Sequence, residues 1–290
     1  MEQSNLENAI IQLWIFVLGT VIGSFLNVCI YRIPERVSLL RPRSSCVRCN
    51  EAIAWYDNIP VVSFLILKGR CRYCNHKISI GYPVVEVITG IAFWLLFRYF
   101  PLRDTSFLFC CIYLTFCCLL IVCSFVDLKL HIIPNEVSYT GLVLAPLASL
   151  VYPDFLVLSG SAWVFNVIGN QRIHSFLASL LGILVGGGLI YLCALIGKVV
   201  LKKDAMGFGD VKLMGVIGGF LGWKLSITTF FLAPFLGLLF AIPKLIFNKE
   251  RMIPYGPFLS LAAFICLLYI DVCSGIIDNY VDIFLYFFNH

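Results

Sequence analysis

Runs of apolar residues long enough to cross a bilayer recur along this 290-residue chain, and they constrain its fold more than any single motif. The first, Ile10 to Ile30, contains no charged side chain. A helix of about 20 such residues matches a hydrocarbon core ~30 Å thick. Eight candidate spans follow from the pattern: 10–31, 83–100, 107–126, 137–152, 173–197, 210–222, 226–242 and 256–272. Only 13% of the residues are charged and 60% are hydrophobic, where a soluble domain carries about 25% charged residues. A β-barrel does not fit, because the runs are continuous and far longer than a tilted strand requires. The expected fold is an all-α polytopic membrane protein with about eight transmembrane helices. The first run follows Glu2 and Glu7, with no Lys or Arg before it, and reads as a retained helix rather than a cleaved signal.

Basic residues set the orientation. The alternate loops 32–82, 127–136, 198–212 and 243–255 hold 17 of the 21 Lys and Arg residues. Only Arg98, Arg103, Arg172 and Lys224 fall on the other side. The first set of loops is therefore expected in the cytoplasm, with both termini outside.

Two acids then stand out. Asp127 ends the third span, and Asp210 begins the sixth. The topology puts both at the cytoplasmic face. Singly, each is equally a helix-end acid: Asp127 beside Lys129, Asp210 favoured by the helix dipole beside Lys212. As a pair they suggest an aspartic peptidase that works at the membrane surface. Gly207-Phe208-Gly209 leads directly into Asp210. Two glycines there would let an extended substrate backbone approach, with Phe208 shaping a side-chain pocket and Lys212 nearby; the alternative is a simple turn into the span. The glycines at 186–188, 215, 218 and 219 are expected to permit close helix packing.

The one sizeable polar segment, 34–82, carries Cys46-Val47-Arg48-Cys49 and Cys71-Arg72-Tyr73-Cys74, with 21 residues between the pairs. That spacing is close to a four-thiolate zinc site. In a reducing cytoplasm disulfides are disfavoured, and a metal would stabilise so short a segment. The alternative is redox-active or idle thiols. His76 is expected to be a bystander, since four thiolates complete the tetrahedron. Most of the remaining cysteines lie in apolar stretches, where Cys behaves as a small hydrophobe. Glu86, after Pro83, is a third acid at a cytoplasmic span end and is equally a first-turn acid.

Taken together the chain resembles the type IV prepilin peptidases, membrane aspartic peptidases of the GxGD type with a second, N-methyltransferase, activity. The resemblance rests on Gly23-Ser24-Phe25-Leu26-Asn27-Val28 with Arg32 and Pro34, and on the paired C-x-x-C motifs around Trp55-Tyr56-Asp57-Asn58-Ile59-Pro60. It continues with Ile78-Ser79, Tyr82-Pro83-Val84-Val85-Glu86, Asp127 with Ile133-Pro134-Asn135, Gly207 to Lys212, and Gly256-Pro257. Val47 stands where the family often has proline, which leaves the thiolates in place.

The resemblance implies that Asp127 and Asp210 are catalytic and that Gly207, Phe208, Gly209 and Lys212 contact substrate. It implies prepilin or pseudopilin substrates, with a basic leader cut after Gly on the cytoplasmic side of a bacterial inner membrane. It also implies S-adenosylmethionine as methyl donor, with Glu86 as a participant, and structural zinc on Cys46, Cys49, Cys71 and Cys74. No glycine motif of the nucleotide-binding kind accompanies the methyl donor. The division expected is a first helix (1–33), a methyltransferase-associated insert (34–82) and a peptidase bundle (83–290). Membrane lipid is the other expected partner, and nucleic acid is not. A competing class is a transporter or channel using the two acids as a proton or cation relay. It explains neither the Gly-Phe-Gly lead-in nor the cysteine pairs, and no inverted repeat accompanies it.

Overall fold

The computed structural model describes residues 2–41, 43–100, 106–157, 170–202, 207–248 and 254–288. Arg103, Lys203, Lys249 and Arg251, which bear on the expected orientation, lie outside them. Among the described residues the regular structure is helical, with no β-strand and two isolated bridges, Ser45–Ala52 and Arg70–Lys77. Five helices are long and apolar enough to cross a membrane, and the bent pair Gly256–Leu268 and Ile270–Tyr280 makes a sixth if it counts as one span. The chain is therefore a multi-pass α-helical membrane protein. It divides into two compact units, 1–122 and 123–290.

In the first unit, helices α1 (Glu2–Arg32) and α3 (Gly81–Tyr99) pack on each other, and the polar insert lies between them in sequence. The contact is close because small residues meet there. A Cβ on Gly19 would lie 2.8 Å from Gly90 Cα, and one on Gly23 would lie 2.7 Å from Glu86 Cα. The insert holds a 3-10 turn, Trp55–Asn58, and a short helix α2 (Val62–Ile66). Helix α3 thus belongs to the same compact unit as α1 and the insert. The boundary falls inside α4 (Phe107–Leu130).

The second unit contains the end of α4, α5 (Asn135–Val151), the short α6 (Asp154–Val157), α7 (Gln171–Leu201), α8 (Phe208–Asn248), α9 (Gly256–Leu268) and α10 (Ile270–Phe288). Helix α8 consists of two legs that meet at a break. Gly222 within it has φ 80° and ψ 174°, a conformation open to glycine. Met214 and Ser226 would stand about 18 Å apart along a straight helix. Yet a Cβ on Gly186 would lie 2.4 Å from the Met214 carbonyl and 3.4 Å from Ser226 Oγ. The chain therefore doubles back at Gly222, which separates the sixth and seventh spans read from the sequence. The first leg, 208–221, rises only about 21 Å.

Helix α7 fits against this hairpin through glycine. A Cβ on Gly182 would run into the Gly218 carbonyl, so the two backbones are in contact. Gly188, by contrast, faces open space, with nothing within 4 Å. The last span differs from the 256–272 expected. Helix α9 ends at Leu268 and the chain turns by 94° into α10. Asp271 and Asp278, seven residues apart, fall on one face of that helix.

Candidate active site

Helix α4 carries Asp127 in its last turn. The helix stops at His131, which adopts φ 54° and returns its N–H to the Asp127 carbonyl at 2.9 Å. This left-handed cap turns the chain into Ile132-Ile133-Pro134, and Pro134 caps α5 in an extended conformation. Helix α8 begins at Phe208, so Asp210 sits in its first turn, its N–H bonded to the Gly207 carbonyl at 3.1 Å. Helix α9 begins at Gly256, with Tyr255 as its cap and a proline in its first turn.

These three helix ends converge. Asp127 is buried, and its Oδ2 accepts the Gly256 N–H at 2.9 Å. Asp210 is half-buried and close enough to Asp127 for the two carboxylates to repel each other. The His131 ring also acts electrostatically on Asp127. Burial, and then the Asp210 charge, push the Tyr255 phenol up to about 12, so it remains a hydrogen-bond donor at neutral pH. Its hydroxyl is buried without a hydrogen-bond partner. Two acids, a neutral phenol and a backbone N–H thus lie close together in the second unit.

The residues before Asp210 divide in two. Gly207 is exposed, and a Cβ there would meet only Asp210 Oδ2, at 3.7 Å, and the Gly209 nitrogen, at 3.9 Å. Gly209 instead backs onto Ile133, whose Cβ would lie 3.1 Å from an added methyl. The space beside Gly209 is filled by this chain itself. Phe208 projects outward, 64% exposed. Lys212 is tied to the Asn135 carboxamide and lies over the rings of Phe208, at 5.0 Å, and Tyr139, at 5.2 Å.

The four cysteines of the insert come together in the first unit. Their Sγ atoms all lie within 4.8 Å of one another, with Cys46 and Cys74 at 3.7 Å. A tetrahedron with Zn–S bonds of about 2.3 Å has edges of about 3.8 Å, so the set fits one metal ion. Two matching turns build it. Cys46 N–H bonds to the Glu51 carbonyl and Asn50 N–H to the Cys46 carbonyl; Cys71, His76 and Asn75 repeat the pattern. Asn50 and Asn75 both take positive φ, 56° and 54°. The N–H groups of Cys49 and Arg48 draw the Cys46 thiol down, while burial and the neighbouring thiols of the cluster push that of Cys49 up. His76 is not in the cluster. Beside it, Arg72 forks onto Asp57, with Nε to Oδ2 at 2.8 Å, and holds that carboxyl below its usual range.

Glu86 lies in the first unit, 8% exposed, where Oε2 accepts the Val61 N–H at 2.8 Å. Ile133 and Gly256 stand in the motifs that carry the resemblance, with no role that the sequence assigns them, and Tyr255 stands in none. The signal for Tyr255 and Gly256 was present: Tyr255-Gly256-Pro257 opens a helix with proline in its first turn.

Comparison with known proteins gives two family matches. Residues 17–100 match the family described as Bacterial Peptidase A24 N-terminal domain. Residues 114–242 match the family described as Type IV leader peptidase family. The chain is 36% identical to the prepilin leader peptidase/N-methyltransferase of Myxococcus xanthus, over 73% of this chain and 56% of that protein. It is 32% identical to the type 4 prepilin-like proteins leader peptide-processing enzyme of Escherichia coli O78:H11, over 84% of this chain and 88% of that one. It is 29% identical to the prepilin leader peptidase/N-methyltransferase of Bacillus subtilis, over 93% and 98%. No solved structure matches the chain.

Proposed function

This chain belongs to the type IV leader peptidase family, and on that footing we propose that it cleaves the basic leader of a prepilin or pseudopilin after Gly and then methylates the exposed amine. The observation that carries the peptidase half is the meeting of Asp127 and Asp210 beside the Gly256 N–H and the Tyr255 hydroxyl. Two carboxylates this close titrate as a unit and hold one proton between them. The ionised member takes a proton from water, and the water oxygen attacks the scissile carbonyl carbon. The protonated member donates to the carbonyl oxygen and later gives a proton to the departing amine. The Tyr255 hydroxyl is suited to hold the carbonyl oxygen as charge develops on it.

The junction must be extended when cut, since a helix hides its carbonyls in i to i−4 bonds. Gly207 and Phe208 offer an open lip on which such a strand can lie, while Gly209 and Lys212 hold the lip against Ile133 and Asn135. The asymmetry of Lys and Arg supports a cytoplasmic active face in a bacterial inner membrane, surrounded by lipid, and a leader that never crosses it.

We assign the peptidase to the second unit and methyl transfer to the first. Zinc on the four cysteines would fix the insert, with no open position for water. S-adenosylmethionine, when bound, supplies an electrophilic methyl group. The test is mass spectrometry of a prepilin incubated with purified protein. Loss of the leader is expected without the methyl donor, and a further 14 Da on the mature N-terminus with it (the arithmetic mass of about one CH2). An unchanged prepilin would refute the peptidase reading.

A further inference from the structure

The first unit contains a cavity of about 570 Å³ between the insert and the ends of α1 and α3. Pockets for small molecules run from about 300 to 1,000 Å³. Its walls are built by a repeated arrangement. On α1, Asn27 and Tyr31 are four residues apart; on α3, so are Tyr82 and Glu86. Side chains at i and i+4 share a helix face, so each helix brings one polar acceptor and one aromatic ring to the cavity. The two rings stack, 4.9 Å between centroids.

The acceptors are buried and not saturated. Asn27, 3% exposed, donates Nδ2–H to the Tyr82 carbonyl at 3.0 Å, while its Oδ1 has no hydrogen-bond partner. A buried acceptor left without a donor is costly, and a ligand N–H in the cavity would satisfy it. Glu86 takes the Val61 N–H on Oε2 and a bond from Ser24, which leaves lone pairs for a further donor. Val61 reaches it from φ 60°, a strained conformation for a β-branched residue of the kind found at functional sites.

We infer that this cavity is the methyl-transfer site: Asn27 Oδ1 and Glu86 hold the amine of the cleaved substrate, and the Tyr31–Tyr82 wall faces the sulfonium of the methyl donor. The inference rests on the methyltransferase half of the function proposed above. A sulfonium is a cation, and aromatic faces attract cations. The substrate arrives as an ammonium and gives one proton to the Glu86 carboxylate. The freed nitrogen lone pair then attacks the methyl carbon. The N–C bond forms as the S–C bond breaks, and sulfur keeps the bonding pair as a neutral thioether. The secondary ammonium remains, and Glu86 returns its proton to water at the cavity mouth.

Two measurements on the full-length protein test this. The first is photo-crosslinking of the wild-type chain with an aryl-azide analogue of S-adenosylhomocysteine, mapped by mass spectrometry. Label is expected on peptides lining the cavity, among residues 24–86. Label confined to other parts of the chain, with methylation intact, overturns the inference and leaves the proposed function standing. The second is methylation of a mature pilin peptide across pH by Glu86→Gln. Its rate should fall about 100-fold at pH 7, within the range for a lost general base. It should then rise about tenfold per pH unit until the peptide amine titrates near 8, while the wild type changes little. A Glu86→Gln profile parallel to wild type at the same rate also overturns it. Absence of both label and methylation, with leader cleavage proceeding, removes the methyltransferase reading and this inference together.

Discussion

The backbone N–H of Gly256 donates to Asp127 Oδ2 at 2.9 Å across 129 positions of sequence. A helix start thus offers a free N–H to a carboxylate at a helix end. The approach requires glycine, because a Cβ on residue 256 would lie 2.7 Å from the same oxygen. Gly256→Ala is expected to displace the Asp127 carboxylate and lower prepilin cleavage at least tenfold, the cost of a misplaced catalytic group. Methylation of a mature peptide, assigned to the other unit, should continue. Equal turnover by wild type and Gly256→Ala would show the contact to be unimportant for cleavage.

Asp127→Asn and Asp210→Asn should each abolish cleavage, by about 10³-fold or more, since general acid and base work each contribute about 10²–10⁴. The double variant should be no worse than either single one, because residues acting as a unit are not additive. Single-turnover cleavage of a prepilin checks both statements. Near-normal turnover by either single variant would remove the two-aspartate mechanism.

Tyr255→Phe removes only the unpartnered hydroxyl. If that group holds the carbonyl oxygen, kcat should drop about 10²- to 10³-fold, as when an oxyanion donor is lost, with KM little changed. A rise in KM at constant kcat would mean instead that the ring only lines the substrate groove.

Gly209 and Ile133 are expected to behave as a pair. Gly209→Ala presses a methyl to 3.1 Å from Ile133 Cβ, tighter than ordinary contact, and should impair cleavage and thermal stability. Ile133→Ala in the same chain opens that space and should restore at least part of both. Failure of the second substitution to restore cleavage would favour direct contact between Gly209 and the substrate.

Metal analysis should find one zinc per chain. Replacing Cys46 and Cys71 by Ser should remove it and open residues 34–82 to protease, because the thiolates join two turns that, among the described residues, no strand pairing links to each other. Metal-free protein with an insert as resistant as wild type would overturn the structural role.

Local pattern made much of this molecule legible. Apolar runs marked the spans, the C-x-x-C pairs marked the insert, and the placement of basic residues brought Asp127 and Asp210 to one side before any contact was known. What sequence pattern did not carry was contact between distant segments. Nothing local to Gly256 announces that Asp127 lies against it, and nothing in Gly207-Phe208-Gly209 distinguishes the open glycine from the one backed by Ile133. The bend at Tyr269 was missed for another reason. The run from Gly256 stays apolar through it, and the recurrence of Asp271 and Asp278 marks the new helix only beyond the turn. Asn27 read as part of a family motif, but its use depends on a cavity that only the paired helices create.

Lys224, two residues beyond the reversal at Gly222, is 3% exposed and forms an ion pair with Asp278 of α10. A buried ammonium needs a counter-charge, and Asp278, itself half exposed, supplies it from α10. The carboxyl-terminal helix is therefore a stopper rather than a tail. A chain cut short before Asp278 would strand that cation beside the reversal of the helix that begins with Asp210, so damage at the periphery would reach the catalytic helix.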